Sequence, residues 1–404
     1  MIAAALVVVT GIVFNDANGN GRRDAGESGV PNVVVSDQRD VVVTDANGAF
    51  RISAADSKGV VFVSVPDGWR AVGSFWRPAS DSAISFALAS VPRVTSFTFV
   101  HGSDTHVSSQ SVGRMRRFRT LTDSIAPSFV IVTGDLVRDA LRVGEKEATG
   151  YYELFDTEAR QFKAPVWTVP GNHENFGIER DTSHVDASHP LYGRGMYHHF
   201  RGPDYYSFTF GGVHFVGLNT VDIDDKWYYG HVDSTQLAWL AKDLARIPAS
   251  MPVVTFDHIP FFTAVESING YMAGPPAPSL ITVNGVTTFR HSVGNAKEVL
   301  SRFRDRHLVL ALGGHMHVRE RLLYEIDGFP TRFEQSAAIV GPSGDGALRF
   351  KSGFVVYRVQ NGVIDAGTFV PLDPVVISPT DHDHAGILDH RQLVQFGYGT
   401  RRQD

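Results

Sequence analysis

The stretch Val169-Pro170-Gly171-Asn172-His173-Glu174 decides how the middle of this chain is interpreted. It ends the short β-rich run Pro165–Val169, and Gly171 allows a sharp turn where the polar side chains begin. An apolar strand has no structural need for an amide, an imidazole and a carboxylate at its end. Taken alone, the segment is as typical of a capped loop as of a functional site, so the other strand ends of the chain matter.

Four further predicted strands end in polar residues of the same chemical kind. In open α/β sheets, ligands bind at the carboxyl ends of the strands, so these residues are expected to converge. A single Asp or His at a strand end is more often a packed or capping residue, but five such ends together predict a metal centre. Asp, His and Asn without cysteine suit Mn²⁺, Fe²⁺, Zn²⁺ or Co²⁺. The four further ends are Asp104-Thr105-His106, Gly134-Asp135, His258-Ile259-Pro260 and Gly313-Gly314-His315-Met316-His317.

The composition of the 404 residues is typical of a soluble globular protein with roughly two or three domains. Lys and Arg number 37 against 43 Asp and Glu, and the formal net charge of -6 provides no basic field for nucleic acid. The absence of cysteine excludes disulfides, thiolate metal sites and thiol nucleophiles. No apolar run reaches the roughly 20 residues of a transmembrane helix. The oligomeric state cannot be read from these features.

Residues 1–90 predict a small all-β sandwich domain. Short β runs alternate there with turns that are rich in Asn, Asp and Gly, which is the rhythm of a sandwich. The expected strands are Val7–Phe14, Val33–Ser36, Val41–Thr44, Ala49–Ser53 and Val60–Val65.

A calcium-loop motif lies between the first two of these strands. Residues 16–27 fit D-x-[DN]-x-[DN]-G-x5-E at every specified position, and such oxygen ligands suit Ca²⁺. A solvated Asn-Gly turn is the alternative, because the same residue types are common in turns. Extracellular sites of this kind are weak, with a Kd of about 10⁻⁴ to 10⁻³ M, which favours an exported protein. The candidate calcium ligands are Asp16, Asn18, Asn20, Arg22, Asp24 and Glu27.

Residues 94–371 predict a layered α/β domain in which strands alternate with helices. Helices are expected at Val112–Ile125, Asp233–Leu244 and Asn295–Phe303, with a β-hairpin at 206–218. The segment Phe261–Ser292 is rich in Gly, Pro, Ser and Thr, and we expect it to be a long loop over the site. Residues 372–404 are expected to form a disordered C-terminal tail.

The motifs D-x-H, G-D, G-N-H-E, a lone histidine before a proline, and G-H-x-H occur in this order. The ordered set resembles the calcineurin-like metallophosphoesterase family over roughly Val94 to Pro371. The resemblance implies a four-layer αββα sandwich of two mixed β-sheets flanked by helices, and a binuclear metal-dependent phosphohydrolase. By that resemblance, Asp104, His106 and His317 hold one metal, Asn172, His258 and His315 hold the other, and Asp135 bridges both. By the same resemblance, His173 would face the substrate phosphate, with Asp139 as a supporting carboxylate. On physical grounds we expect Glu174 to orient His173, as a carboxylate orients a ligating histidine.

The chemistry of a two-metal site agrees with this assignment. A carboxylate that bridges two ions roughly 3.5–4 Å apart lets them clamp a phosphoryl group and lower the pKa of bound water from 15.7 towards about 7. Hydroxide then attacks the phosphorus in line. His173, if protonated, stabilises the developing charge or protonates the leaving oxygen.

Two sequence differences argue against membership of two known subfamilies of this family, the purple acid phosphatases and the Ser/Thr protein phosphatases. Purple acid phosphatases have a tyrosine ligand three residues after the bridging aspartate, where this chain has Arg138, so a tyrosinate-bound ferric centre is not expected. Ser/Thr protein phosphatases share G-N-H-E, but Arg138-Asp139 reverses their Asp-Arg order, and G-H-x-H is foreign to them. Arg138 stays a candidate substrate contact.

The predicted activity is the hydrolysis of phosphomonoesters or phosphodiesters of small or lipid-derived molecules. Two alternatives stay open: a pyrophosphatase of nucleotide-diphosphate conjugates, and a surface binding module with a relic hydrolase domain. The turn at 44–50 resembles a recurrent turn of carboxypeptidase-regulatory-like sandwiches, and the domain combination is similar to exported bacterial members of the family. We therefore expect export to the periplasm or the cell exterior after removal of a signal, with a cytoplasmic location as the alternative.

Overall fold

An all-β amino-terminal region precedes a layered α/β region, which confirms the predicted fold class. The predicted C-terminal tail, apart from Leu372, lies outside the residues that the structure describes. The structure is a computed structural model, and it describes residues 8–53, 58–80, 83–273, 278–326, 329–343 and 350–372.

The amino-terminal region is a sandwich of two four-stranded sheets. Its strands are β1 (Val8–Asn15), β2 (Val34–Ser36), β3 (Val41–Val43), β4 (Ala49–Ser53), β5 (Val60–Val63), β6 (Trp69–Ala71), β7 (Trp76–Pro78) and β8 (Ile84–Ser90). One sheet has the order β4-β1-β8-β6 and the other β3-β2-β5-β7. Val13 and Phe86 of the first sheet share a buried cluster with Val35 and Val61 of the second, so the two sheets close around a common core.

The α/β region contains two six-stranded sheets and two separate hairpins. Its strands are β9 (Ser96–Gly102), β10 (Phe129–Thr133), β11 (Val166–Val169), β12 (Tyr206–Phe210), β13 (Val213–Gly217), β14 (Val221–Asp224), β15 (Trp227–Gly230), β16 (Pro252–Phe256), β17 (Leu280–Val283), β18 (Val286–Phe289), β19 (His307–Gly313), β20 (Glu320–Ile326), β21 (Phe329–Gln335), β22 (Gly353–Gln360), β23 (Val363–Ile364) and β24 (Thr368–Pro371). Its helices are α1 (Val112–Ile125), α2 (Glu145–Ala159), α3 (Arg180–Ser183), α4 (Gly195–Arg201), α5 (Ser234–Leu244), α6 (Val265–Asn269) and α7 (Ala296–Ser301).

Both large sheets are mixed. The first has the order β11-β10-β9-β22-β23, with β24 also paired to β22, and the second has the order β12-β13-β16-β19-β21-β20. Strands β9, β10 and β11 are parallel to one another, and so are β16 and β19. The carboxyl ends of these five strands are the ends that the sequence predicts to be functional.

Alternate residues of β10 pack into two different apolar clusters, one on each face of the first sheet. Phe129 and Ile131 enter the cluster that contains the second sheet, and the Phe129 and Phe215 rings lie 5.1 Å apart. Val130 and Val132 enter a separate cluster with residues of α1 and α2. Because successive side chains of a strand point to opposite faces, β10 is covered by the second sheet on one side and by helices on the other. The first sheet is therefore an inner layer.

The prediction of a long loop at Phe261–Ser292 is wrong for much of its length. Helix α6 and the β17–β18 hairpin lie within this segment. Asn284 and Gly285 connect the two strands and both have a positive φ, as the two-residue turn of a hairpin requires. The density of Gly, Pro, Ser and Thr around the hairpin obscured this signal. Helix α7 is also shorter than the predicted Asn295–Phe303 helix.

The sandwich packs against the α/β region through a shared apolar core. The Phe62 ring lies 6.3 Å from the ring of Trp239 and 6.4 Å from that of Tyr206. Gln38 is fully buried, and its Nε2 donates to Asp204 Oδ1 at 2.8 Å. None of the helices in the described part of the chain has the length and apolar character of a membrane span.

We expect Phe62→Ala to lower the free energy of unfolding by about 3–5 kcal/mol, because the cavity would lie between the sandwich and α5. Leu323→Ala is the control, since Leu323 is 66% exposed and its truncation should cost no more than about 0.5 kcal/mol. Urea denaturation of the full chain measures both values. Equal effects of the two substitutions would contradict the packing described here.

Candidate metal centre

Five strands deliver the predicted site residues to one place. Asp104, Asp135 and Asn172 follow β9, β10 and β11 of the first sheet, whereas His258 follows β16 of the second. His315 and His317 follow β19, and all of these side chains are buried. The two sheets therefore contribute to one buried centre at the carboxyl ends of their parallel strands.

Two groups of ligand-type atoms form within this centre. In the first cluster (Asp104, His106, Asp135 and His317), one nitrogen or oxygen atom from each residue lies within 4.8 Å of the others. His317 Nε2 lies 3.2 Å from Asp104 Oδ1. In the second cluster (Asp135, His258 and His315) the same limit applies. Asp135 belongs to both clusters.

Asn172 joins the second cluster through its amide. The Asn172 Oδ1 atom lies 3.1 Å from His258 Nε2, and the Asn172 side chain is fully buried. All seven predicted metal ligands are thus brought together, although their roles as ligands remain a prediction.

Backbone carbonyls orient two of the histidines. His258 Nδ1 lies 2.8 Å from the carbonyl oxygen of Thr133, and His106 Nδ1 lies 3.3 Å from that of Arg138. A carbonyl only accepts hydrogen bonds, so Nδ1–H donates in each case. In the neutral ring, Nε2 then carries a lone pair that faces the cluster, which is the tautomer of a metal ligand.

The Asp135 carboxylate dominates the electrostatics of the second cluster. Burial lowers the pKa of His258, but the charge and hydrogen bond of Asp135, 3.3 Å away, together with the Asp104 charge and the Thr133 carbonyl, raise that pKa to about 9. Burial likewise opposes ionisation of Asp135, yet His258 and His173 hold its pKa well below the ordinary value. The Asp135 and Asp104 carboxylates therefore favour positive charge at His258 Nε2.

The donor set fits divalent cations. Among the described residues, Asp104 Oδ1, His106 Nε2 and Asp135 Oδ2 are buried and accept or donate no hydrogen bond. Burying such atoms costs free energy unless something compensates for the lost water. Imidazole, carboxylate and amide oxygen together are a donor set for borderline divalent metals, so the residues fit the cation pair predicted from sequence.

His173 lies beside the first cluster, and the Asp139 carboxylate lies near its Nδ1 atom. Its ring is 4.6 Å from that of His106 and nearly perpendicular to it, and its Nδ1 lies 3.7 Å from Asp139 Oδ1. Burial opposes ionisation of Asp139, but Arg142 and His173 hold the pKa of Asp139 below its ordinary value. Arg142 also bonds Glu179, which fixes the guanidinium.

The predicted role of Glu174 requires correction. We expected this carboxylate to orient His173, but its oxygens accept hydrogen bonds from backbone N–H groups of the loop after β10 and of Gly171. The donors are Asp135 at 2.9 Å, Leu136 at 2.8 Å, Val137 at 3.0 Å and Gly171 at 2.5 Å. Glu174 thus connects the loops after β10 and β11. The carboxylate that lies near the His173 ring, and could orient it, is that of Asp139.

Arg138 contributes through its backbone. Its carbonyl is the oxygen beside His106, and its guanidinium Nη1 lies 3.3 Å from Gln110 Oε1. A substrate role for its side chain stays a prediction.

Backbone conformation distinguishes the site from the rest of the fold. Five of the seven predicted metal ligands have a positive φ, which non-glycine residues adopt rarely and at a cost of about 1–3 kcal/mol each. These are Asp104 (54°), His106 (38°), Asp135 (47°), His315 (69°) and His317 (55°). Such a concentration of positive φ values in the loops after β9, β10 and β19 is independent support for a functional site.

Sequence reasoning missed His291. This residue is buried, and its Nδ1 lies 2.8 Å from His315 Nε2. It falls in the segment that we expected to be a loop over the site, and its residue type was the only available signal.

The candidate calcium loop is closed by its own side chains. The buried Asp16 carboxylate accepts from the N–H groups of Gly19 at 2.8 Å and Gly21 at 2.7 Å. Glu27 accepts from the N–H groups of Ala17 and Asp24, each at 2.9 Å. The Asn18 and Asn20 amides donate to Asp24 Oδ2 at 2.7 and 2.8 Å. Arg22 contributes its N–H to Asn20 Oδ1 at 2.8 Å.

Comparisons with known proteins agree with this geometry. A model of the calcineurin-like phosphoesterase family matches residues 97–319, more than half of the chain. A model of the N terminal of calcineurin-like phosphoesterase matches residues 17–87. None of the curated proteins matches the chain significantly.

Several solved structures are similar to the chain. A dimetal phosphatase of Danio rerio has 14% identity over 69% of this chain and 99% of its own, with a TM-score of 0.43. GAP50, the anchor in the inner membrane complex of Plasmodium, has 11% identity over 69% and 86%, with a TM-score of 0.40. The protein TT1561 of Thermus thermophilus has 9% identity over 69% and 100%, with a TM-score of 0.37.

The extent of the family match, with the centre described above, shows that the chain belongs to the calcineurin-like phosphoesterase family. It is thus a hydrolase that acts on phosphoester bonds. Its buried Asp and His residues form a candidate site for two divalent metal ions.

We expect Gly171→Ala to disrupt this centre. A Cβ atom at residue 171 would lie 2.2 Å from Asp135 Oδ1 and 2.4 Å from Asp135 N, so Asp135 must move. A displacement of about 1 Å at an active site costs about 10²-fold in rate, and metal content should fall with it. Metal analysis and phosphoesterase assays measure the two effects.

Gly150→Ala is the matched control, because a Cβ on that α2 residue would meet nothing within 4 Å. It should keep wild-type metal content and gain about 0.5–1 kcal/mol of stability. Wild-type metal content and rate in Gly171→Ala would show that the contact with Asp135 does not constrain the site.

Proposed function

We propose that the chain is a binuclear metal-dependent phosphohydrolase that cleaves phosphomonoesters or phosphodiesters. One observation carries the proposal: Asp135 Oδ1 lies 3.3 Å from His258 Nε2, and Asp135 Oδ2 lies 3.4 Å from His106 Nε2. A carboxylate that presents one oxygen to each of two groups of ligand atoms could be shared by two cations. The buried Asp135 carboxylate has this arrangement.

The two clusters suggest which residues hold each cation. When bound, such a pair neutralises phosphoryl charge and lowers the pKa of water towards about 7. Mn²⁺, Fe²⁺, Zn²⁺ and Co²⁺ all accept this donor set, so reconstitution has to identify the metals. We assign Asp104, His106 and His317 to one cation, Asn172, His258 and His315 to the other, and Asp135 to both.

His173 is assigned to the substrate. Its Nε2 lies 3.9 Å from Asp135 Oδ2, so the ring is at the edge of the first cluster, where a phosphoryl oxygen would approach. The Asp139 carboxylate lies 3.7 Å from Nδ1, on the side of the ring away from Asp135, and can orient the imidazole. His173 would then stabilise charge on the phosphoryl oxygens or protonate the leaving oxygen.

The choice of substrate needs a direct assay. Hydrolysis of p-nitrophenyl phosphate and bis-p-nitrophenyl phosphate should exceed hydrolysis of a nucleotide-sugar. The reverse order would identify a pyrophosphatase of nucleotide-diphosphate conjugates instead. A chain that holds two metals and hydrolyses none of these would favour the binding-module alternative.

We expect Asp135→Asn and His173→Ala to differ in their effects. Asp135→Asn should lower metal content below two equivalents per chain and abolish turnover, because the shared ligand is lost. His173→Ala should keep both metals and lower kcat by about 10² to 10⁴-fold, as expected for the loss of a proton donor. Metal-free protein reloaded with each candidate metal provides the assay.

The exposed His199 supplies the control, since His199→Ala should change neither metal content nor kcat. Two metal equivalents in Asp135→Asn would refute the shared-ligand assignment. Full activity in His173→Ala would remove the role given to His173.

We further propose that residues 16–27 bind Ca²⁺. The loop has the ligand types and spacing of a calcium site, and Glu27 closes it onto Ala17 and Asp24. Such a loop fills only where calcium is abundant, so the proposal implies an exported protein.

We expect about 10 mM CaCl₂ to raise the free energy of unfolding by about 1.4–2.7 kcal/mol, which corresponds to 10–100 times the Kd of such a site. Glu27→Gln should lose this increment, whereas Glu153→Gln, on the exposed side of α2, should retain it. Urea denaturation with CaCl₂ or MgCl₂ measures the effect. If CaCl₂ does not change the stability of the wild-type chain, residues 16–27 form a solvated turn and not a calcium site.

A further inference from the structure

His291 and His315 form a stacked, hydrogen-bonded pair. His291 Nδ1 lies 2.8 Å from His315 Nε2, and the ring centroids are 5.1 Å apart with an angle of 24° between the planes. His291 is 3% exposed. The pair therefore joins the segment after the β17–β18 hairpin directly to the second cluster.

The backbone on both sides of His291 is fixed by hydrogen bonds. Arg290 N donates to Ser279 O at 2.9 Å, and Gly294 N donates to Gly230 O at 2.8 Å. Gly230 is needed for this approach, because a Cβ there would lie 2.1 Å from Ser292 O. The segment that carries the imidazole of His291 is thus hydrogen-bonded on both sides of this residue.

Aromatic packing limits rotation of both rings. The Tyr228 ring stands perpendicular to His315 at 5.8 Å and at 68° to His291 at 6.2 Å. The buried Arg290 guanidinium lies 4.3 Å from the centroid of the Tyr228 ring and holds it in place. The β14–β15 hairpin and the segment that carries His291 therefore build one wall around His315.

The tautomers of the pair decide whether His315 can bind a cation. If His315 Nε2–H donates to His291 Nδ1, then His315 Nδ1 has a lone pair for the cluster. The opposite direction would put the proton of His315 on Nδ1 and remove its ligand atom. A cation at His315 thus requires His291 to act as the acceptor, with its own proton on Nε2.

We propose that His291 is a positioning residue that fixes the orientation and tautomer of His315. The inference rests on the proposed metal-dependent function, and it extends the site to the segment between β16 and α7. His106 and His258 are oriented by backbone carbonyls. His315 contacts the side chain of His291, so residue 291 contributes to the affinity of the second cation site.

Two substitutions separate the acceptor from the packing. His291→Phe keeps a flat ring against His315 but has no acceptor, whereas His291→Asn loses the ring and keeps an oxygen near the position of Nδ1. We expect His291→Phe to bind the second Co²⁺ about 10–100-fold more weakly than wild type, as is usual when the partner of a ligating histidine is lost. His291→Asn should bind it within a few-fold of wild type.

Titration of the metal-free full chain with Co²⁺, followed by visible absorption, measures this affinity without reference to turnover. His199→Ala is the control, and circular dichroism checks the fold of each variant. The positioning role of His291 is overturned if His291→Phe binds the second Co²⁺ with wild-type affinity, or if both His291 variants are weakened equally. In either case the proposed function stands as long as the wild-type chain binds two Co²⁺ ions. A wild-type chain that binds no second Co²⁺ removes both.

Discussion

The buried carboxylate of Glu174 holds together the two loops on which the centre depends. Its oxygens accept hydrogen bonds from three successive N–H groups of the loop after β10 and from Gly171 of the loop after β11. Burial and the charge of Asp135 raise the pKa of Glu174 to about 8, and the N–H donors of Val137 and Gly171 act in the opposite direction. Because the Asp135 backbone is fixed by this contact, its side chain can stand between the two clusters.

The left-handed backbone conformation of five predicted metal ligands lowers the stability of the fold but places their side chains for metal binding. Each such residue costs about 1–3 kcal/mol, and the surrounding core has to compensate for it. Parallel strands alone would send successive side chains to opposite faces of a sheet. A positive φ at Asp104, His106, Asp135, His315 and His317 instead turns these side chains towards a common point.

The strand ends could be predicted from sequence because an apolar run followed by polar residues is a local pattern, and α1 occupies the predicted Val112–Ile125. The β17–β18 hairpin was missed, although Asn284-Gly285 between β-rich runs is a strong hairpin signal. The contact of His291 with His315 depends on how that hairpin folds back, which no local pattern encodes. The hydrogen bonds of Glu174 could not be predicted from local sequence either, because their donors lie in a loop nearly forty residues earlier in the chain.

The apolar seam between the sandwich and the α/β region limits how the protein can be divided. Phe62, Trp239 and Tyr206 meet across it, and Gln38 supplies a buried polar contact to Asp204. A catalytic fragment without the sandwich would expose the rings of Trp239 and Tyr206 to water, and such an apolar patch promotes aggregation. Recombination that exchanged the sandwich for an unrelated module would meet the same obstacle, so the two regions are expected to be inherited as one evolutionary unit.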